Sequence, residues 1–182
     1  HGKGVAVMEG IRLAQAQGFD YVVQVDADGQ HNPADVNKLI ATSRANPDCM
    51  VSGLPRFGSD ISAARRFGRE ISLFFVRLET LSSEVRDAMC GFRVYPINSM
   101  LEIDARTPLP ARMQFDLEAL VRWKWTGRHL RFVATDVCYP EHGLSHFRML
   151  RDNIEISLMH TKLCIGMLWR APKLLLWKIK NA

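Results

Sequence analysis

The sequence predicts an α/β domain: a mostly parallel sheet with helices on both faces. Two observations carry that prediction. The run Tyr21-Val22-Val23-Gln24-Val25 is almost continuously apolar, as expected of a strand covered on both faces. It stands between two helical patterns, and strands alternating with helices make parallel sheets.

Each element has a local cause. Gly2-Lys3-Gly4 precedes a helical pattern with Val7, Ile11 and Ala14 on one face, stopped by Gly18. After the strand come Asp26-Ala27-Asp28-Gly29-Gln30-His31. Asn32-Pro33 then opens a helix with an N-cap side chain and a proline at the first helical position. Asp35 makes its first turn acidic, and Val36, Leu39 and Ile40 form its apolar stripe. The stretch 63–81 reads as a long helix. Phe67, Ile71, Phe74, Phe75 and Leu78 lie on one side of it and are expected to pack into the core. Arg65, Arg66, Arg69 and Arg77 lie elsewhere, mostly on a solvated face.

The acidic pair carries the chemistry. Two carboxylates one residue apart, at the mouth of a β-branched strand, form a site for a hard cation. Mg²⁺ or Mn²⁺ prefers oxygen ligands, and substrate phosphates complete its shell. In open α/β sheets ligands collect beyond the carboxyl ends of the strands. Asp-x-Asp by itself is equally a polar turn and helix cap. An EF-hand is excluded, because the sixth residue from Asp26 is His31 and the twelfth is Asn37, where glycine and glutamate are required. Lys3, in a glycine-flanked loop at a helix start, suits an anion. It is not a Walker A loop, which needs Ser or Thr after the lysine. His31 stands beside the metal site, but Gln30 offers the harder oxygen donor.

Charge distribution narrows the partners. From Ile156 to the end there is no Asp or Glu, while Lys162, Arg170, Lys173, Lys178 and Lys180 are basic. The rest of the chain is balanced, so its body lacks the basic face of a nucleic-acid binder. The basic tail also carries Trp169, Trp177 and many leucines, a composition that fits a helix lying in a membrane interface. Its longest uncharged stretch, 163–169, is too short to span a bilayer. Pro172 is expected to break it into two helices, 152–170 and 173–180. A terminal helix packed on its own domain is the competing reading. Cys49, Cys90, Cys138 and Cys164 are scattered without zinc spacing, which favours reduced thiols over a disulfide framework.

Taken in order, these blocks resemble family 2 glycosyltransferases. They are Gly-Lys-Gly, Gly18-Phe19-Asp20 before the strand, and Asp-Ala-Asp-Gly-Gln-His with Pro33 and Asp35. Ser52-Gly53-Leu54-Pro55-Arg56 resembles the family's Gly-Ser-Arg loop, although Leu and Pro intervene. Asp87-Ala88-Met89-Cys90-Gly91-Phe92-Arg93 resembles its Asp-x-x-x-Gly-Phe-Arg segment, and Phe115-Asp116-Leu117-Glu118 its Phe-x-x-Glu helix start. Gly143-Leu144-Ser145-His146-Phe147-Arg148 resembles its Gly-x-Ser-(His/Lys)-Phe segment. The nearest branch is the dolichyl-phosphate mannose synthase-like one. The stretch 145–172 is similar to transferases found with bacterial aryl-polyene or related lipid-pathway genes.

The resemblance implies a fold of GT-A type and a division of the chain into a partial catalytic domain, 1–148, and C-terminal amphipathic, membrane-interfacial helices, 149–182. Family members begin with a Val-x-Ile-Pro-x-Tyr-Asn strand and a second strand ending in acidic residues. Here neither is present, so the chain reads as lacking the N-terminal strands of such a domain. The resemblance further implies an inverting, metal-dependent transfer of sugar from a nucleotide-diphosphate sugar to a lipid-linked or membrane-proximal acceptor. Asp26, Asp28 and Gln30 would hold Mg²⁺ or Mn²⁺, and Lys3, Asp26 and Asp28 the donor. Asp116, then Asp87, are candidates for the base, while Arg56, Arg69, His146 and Arg148 would bind the acceptor. The place implied is the cytoplasmic face of a bacterial membrane. Two other readings remain: a metal-dependent nucleotidyltransferase, and a non-catalytic membrane-associated partner protein.

Overall fold

The computed structural model describes residues 2–57, 63–137 and 149–180. Helix α1 (Lys3–Ala16) leads into strand β1 (Tyr21–Gln24), and Gly18, at φ 82°, makes the turn between them. A 3₁₀ turn over Pro33–Asp35 precedes α2 (Val36–Ala45), with the Asn32 side chain accepting from Ala34 N as its cap. Then follow β2 (Met50–Arg56), α3 (Ala63–Thr80), β3 (Arg93–Pro96) and α4 (Ile97–Arg106). The last elements are α5 (Phe115–Trp125), β4 (Leu130–Asp136) and α6 (Met149–Lys180).

The strands form one sheet in the order β1-β3-β2-β4. β1 and β2 both pair antiparallel with β3, and β2 pairs parallel with β4. Three strands therefore share a direction and β3 runs against them, which makes the α/β sheet mixed. The carboxyl ends of β1, β2 and β4 fall on one edge.

Strand alternation assigns the two faces. Val23, Val51, Val94 and Val133 meet Leu39 and Val36 of α2 on one side. Val22, Met50, Tyr95 and Leu130 face the larger core on the other, built with α1, α4, α5 and α6. The second face also receives Gln24 and Arg93, both buried.

Two helices differ from expectation. On α3 the buried positions are Ser72, Leu73, Val76, Glu79 and Thr80, whereas Phe67, Ile71, Phe74 and Leu78 are exposed. Of the apolar stripe expected to fill the core, Phe75 alone is half-buried, against His160, and the other four point outward. Spacing identified the row correctly but not its direction, because α3 has two apolar rows and the shorter one, Leu73 and Val76, joins the larger core.

Helix α6 is continuous through Pro172, not broken there. Contacts on both sides of the proline hold it to the body. Before it, Met159, Leu163 and Met167 are buried, and His160 Nδ1 lies 2.7 Å from Glu79 Oε1. After it, Leu174 is buried and the Trp177 ring receives Lys124 Nζ at 4.9 Å. Packing on both sides offsets the cost of an interior proline, about 3 kcal/mol in an isolated helix. No helix among the described residues is long and apolar enough to cross a membrane.

Leu163 and Leu168 test which face of α6 is core, since one is 2% exposed and the other 67%. Leu163→Ala is expected to destabilise the fold by about 2–5 kcal/mol in urea unfolding, and Leu168→Ala to change it by about 0.5 kcal/mol or less. Equal costs would contradict the docked orientation.

Candidate active site

The site forms where the carboxyl end of β1 meets the amino-terminal turns of α1 and α5. Lys3 is the first residue of α1, in a helix and not in a flexible loop. Its flanking glycines have a packing cause: a Cβ on Gly2 would lie 2.5 Å from Ala111 O, and one on Gly4 would collide with Pro110 O and Phe115. The glycines let α1 seat against the 110–115 segment, which carries Lys3 toward Asp116.

Lys3 Nζ lies 2.8 Å from Asp26 Oδ2 and 2.5 Å from Asp116 Oδ2. Burial alone would lower the ammonium's pKa, but the Asp116 and Asp26 carboxylates outweigh it, and the value is raised. Lys3 therefore stays charged throughout the neutral range. Gln24 Nε2 donates to Asp116 Oδ1 at 3.1 Å and reaches Asp26 Oδ1 at 3.4 Å. Tyr95 OH donates to Gln24 Oε1 at 3.0 Å, fixing the amide's orientation. Arg93, wholly buried, donates to Asp116 O at 2.6 Å and to Ala88 O at 2.8 Å.

The Asp-x-Asp turn projects from this base. Asp28 is exposed, and its Oδ1 accepts from Gln30 N at 3.0 Å while Gly29 takes φ 72°. His31 is half-buried and packs on the Phe92 ring at 5.1 Å. Burial lowers its pKa, with Asp26 and Asp28 opposing. A bridge from His31 to Val137 ties the turn to the end of β4. The donors present suit a hard divalent cation: two carboxylates and the Gln30 amide, with Asp28 Oδ2 free of hydrogen bonds among the described residues. No group of three or more His, Cys, Asp or Glu side chains converges on a metal position among those residues.

Asp87 serves a different purpose. Its Oδ1 accepts from Met89 N at 3.0 Å and Cys90 N at 2.7 Å, and its Oδ2 pairs with Arg69 at 2.5 Å. Both oxygens are engaged in shaping the 87–91 loop and anchoring Arg69. That loop delivers Gly91 to the back of Asp26, so closely that any Cβ would strike the carboxylate. Burial by the same loop raises the Cys90 thiol to about 11.

Lys3, Asp26 and Asp116 are thus brought into contact, with Asp28 and Gln30 in the adjoining turn and Arg69 one ion pair away. Arg56 ends β2 on the same sheet edge, in a strand and not a loop. His146 and Arg148 lie outside the described residues. Sequence reasoning missed Gln24, Tyr95 and Arg93, the groups that hold Asp116. Their signal was present: polar side chains alternating within short apolar strands, on the face that turns toward α5.

The sequence profile of Glycosyl transferase family 2 matches residues 1–103. The chain belongs to that family. No curated protein matches it. Among solved structures it is similar to glucosyl-3-phosphoglycerate synthase from Mycobacterium tuberculosis. The complex with uridine diphosphate aligns at TM-score 0.58 and 15% identity, over 92% of this chain and 55% of that one. The complex with phosphoglyceric acid gives 0.55 and 18%, covering 91% and 55%. The complex with Mn²⁺, UDP-glucose and glycerol 3-phosphate gives 0.54 and 16%, covering 92% and 55%. The likeness establishes a shared GT-A fold, and the chain spans about half the length of the proteins it matches.

Gly91 offers a test of the site's construction that needs no substrate. Gly91→Ala is expected to cost about 1–3 kcal/mol through collision with Asp26. In an Asp26→Ala background the added methyl finds room, so the two substitutions should couple by about 1 kcal/mol or more in a double-mutant cycle. Additive costs would mean that Asp26 does not rest on Gly91.

Proposed function

We propose that this chain carries the catalytic core of an inverting glycosyltransferase that moves a sugar from a nucleotide-diphosphate donor to a lipid-linked or membrane-proximal acceptor. One observation carries the reading: the carboxylate of Asp26 and that of Asp116 meet at a single ammonium, beside an exposed second aspartate on the sheet's carboxyl edge. Membership of the family and the solved relative that holds Mn²⁺ with UDP-glucose support it.

Asp26, Asp28 and Gln30 would hold Mg²⁺ or Mn²⁺, which would supply positive charge against the leaving diphosphate. Lys3 adds a fixed positive charge at the same end. Asp116, held by Lys3, Gln24 and Arg93, is the base that takes a proton from a hydroxyl acceptor. It is 5% exposed. Arg69, oriented by Asp87, and Arg56 face an anionic acceptor, since a guanidinium fork suits phosphate. Arg148 and His146 join them in this reading. The outer face of α6, in 149–182, keeps the protein at the inner surface of a bacterial membrane, and the sequence blocks place it in the dolichyl-phosphate mannose synthase-like branch in this reading.

Two substitutions in the native gene product test the reading. Asp28→Asn is expected to lower sugar transfer by about 10²-fold or more without loss of stability, because the side chain is exposed. Turnover that persists in the variant and ignores a chelator would refute the metal site.

Asp116→Asn separates two acceptor classes. With a hydroxyl acceptor, turnover should fall by roughly 10²-fold or more. A lipid phosphate is already ionised and needs no base, so a near-normal rate would remove Asp116 from that role and identify a phosphate acceptor.

A further inference from the structure

We propose that the outward sides of α3 and α6 form one continuous docking surface for an anionic lipid bilayer, so that α3, not the C-terminal helix alone, is half of the membrane face. This rests on the membrane-proximal reading above and extends it to an element that the composition of the tail does not reach.

The two helices meet along a seam where Phe75 and Glu79 of α3 touch His160, and Cys164 Sγ approaches Glu79. On the α3 side of that seam, Phe67, Ile71, Phe74 and Leu78 fall at i, i+4, i+7 and i+11, one exposed row. Phe67 is 69% exposed and Phe74 64%. On the α6 side, Ile154, Leu158, Ile165 and Leu168 continue the same kind of row, with Trp169 85% exposed at its margin. A surface helix of a water-facing domain turns polar residues outward, and here both helices turn apolar ones. The polar residues within the α6 row are quiet. Ser157 Oγ donates to Asn153 O and Thr161 Oγ1 to Ser157 O, so their hydroxyls ask little of water.

Charge selects the occupant. Beyond the α6 row stand Lys162 and Lys173, with no ion pair among the described residues. Beyond the α3 row, on the flank away from α6, stand Arg66 and Arg77, with Glu70 between them. An apolar strip rimmed by cations on both sides matches hydrocarbon flanked by anionic headgroups. A second copy of the same face would oppose cation to cation, and the half of α6 beyond Ile156 has no carboxylate to relieve this.

The experiment is co-sedimentation of the native gene product with phosphatidylcholine–phosphatidylglycerol vesicles and with phosphatidylcholine alone, at low and high salt. Three forms are compared: unaltered protein, Phe67→Ser with Phe74→Ser, and Leu158→Ser with Leu168→Ser. All four positions are exposed, so thermal unfolding should match across the forms. Each pair is expected to lower partitioning to the anionic vesicles by about tenfold or more, and binding should weaken with salt or without the anionic lipid. Loss in the α6 pair alone would overturn the two-helix face and leave membrane attachment by α6 standing. No binding by the unaltered protein would overturn the membrane reading itself. A dimer in solution that the α3 pair dissociates would assign the face to a second copy and overturn the proposal.

Discussion

Lys3 is the residue on which the site depends, because its ammonium lies between two carboxylates delivered by distant parts of the chain. Asp26 comes from the end of β1 and Asp116 from the start of α5. Both would be poorly solvated neighbours of like charge without it, and a buried charge left unpaired is among the larger single costs a fold can carry. The same ammonium explains the glycines around it. They allow α1 to approach the 110–115 segment closely enough to insert its first residue, and side chains at either position would push it out. The pair of contacts therefore joins three elements and fixes the spacing of the two acids.

That arrangement also has chemical meaning. In the proposed role a base must be oriented before it can accept a proton, and Asp116 is held by Lys3 at one oxygen and Gln24 at the other. Tyr95 settles which way the Gln24 amide points, and burial raises the phenol's pKa, so it remains a donor at neutral pH. Arg93 holds the backbone of the same residue from beneath. The layer under the site is thus rigid and polar, while Asp28 and Gln30 stand on an exposed turn above it. Rigid below and accessible above is what a site needs when it binds a flexible diphosphate and still keeps its base in place.

Much of this was legible in the sequence, and the limits follow from physics. The strand at 21–25, its acidic turn, the Asn32 cap and the Gly18 stop depend on local backbone chemistry, which short segments specify by themselves. The pairing of Lys3 with Asp116 depends on the packing of α1 against a loop more than a hundred residues later, which no local rule encodes. Asp87 was a candidate base by its place in the chain, and the fold sets its oxygens on two backbone N–H groups and a guanidinium. Type and position identify a carboxylate, but its partners appear only in the fold.

The helices α3 and α6 carry the same point to packing. Periodicity tells which residues share a side of a helix, and it placed Phe67, Ile71, Phe74 and Leu78 together. It is silent about phase. The core was met instead by a row with only Leu73 and Val76 as large apolar members, helped by Ser72, Thr80 and the Glu79–His160 pair. Burial raises the Glu79 carboxyl above its ordinary range, with His160 opposing, so the seam between the two helices is paired and not merely greasy. A helix whose better apolar row is left outside while a polar pair is taken inside is not optimised for a water-filled surround. Burial among the described residues leaves the outward rows of α3 and α6 unused.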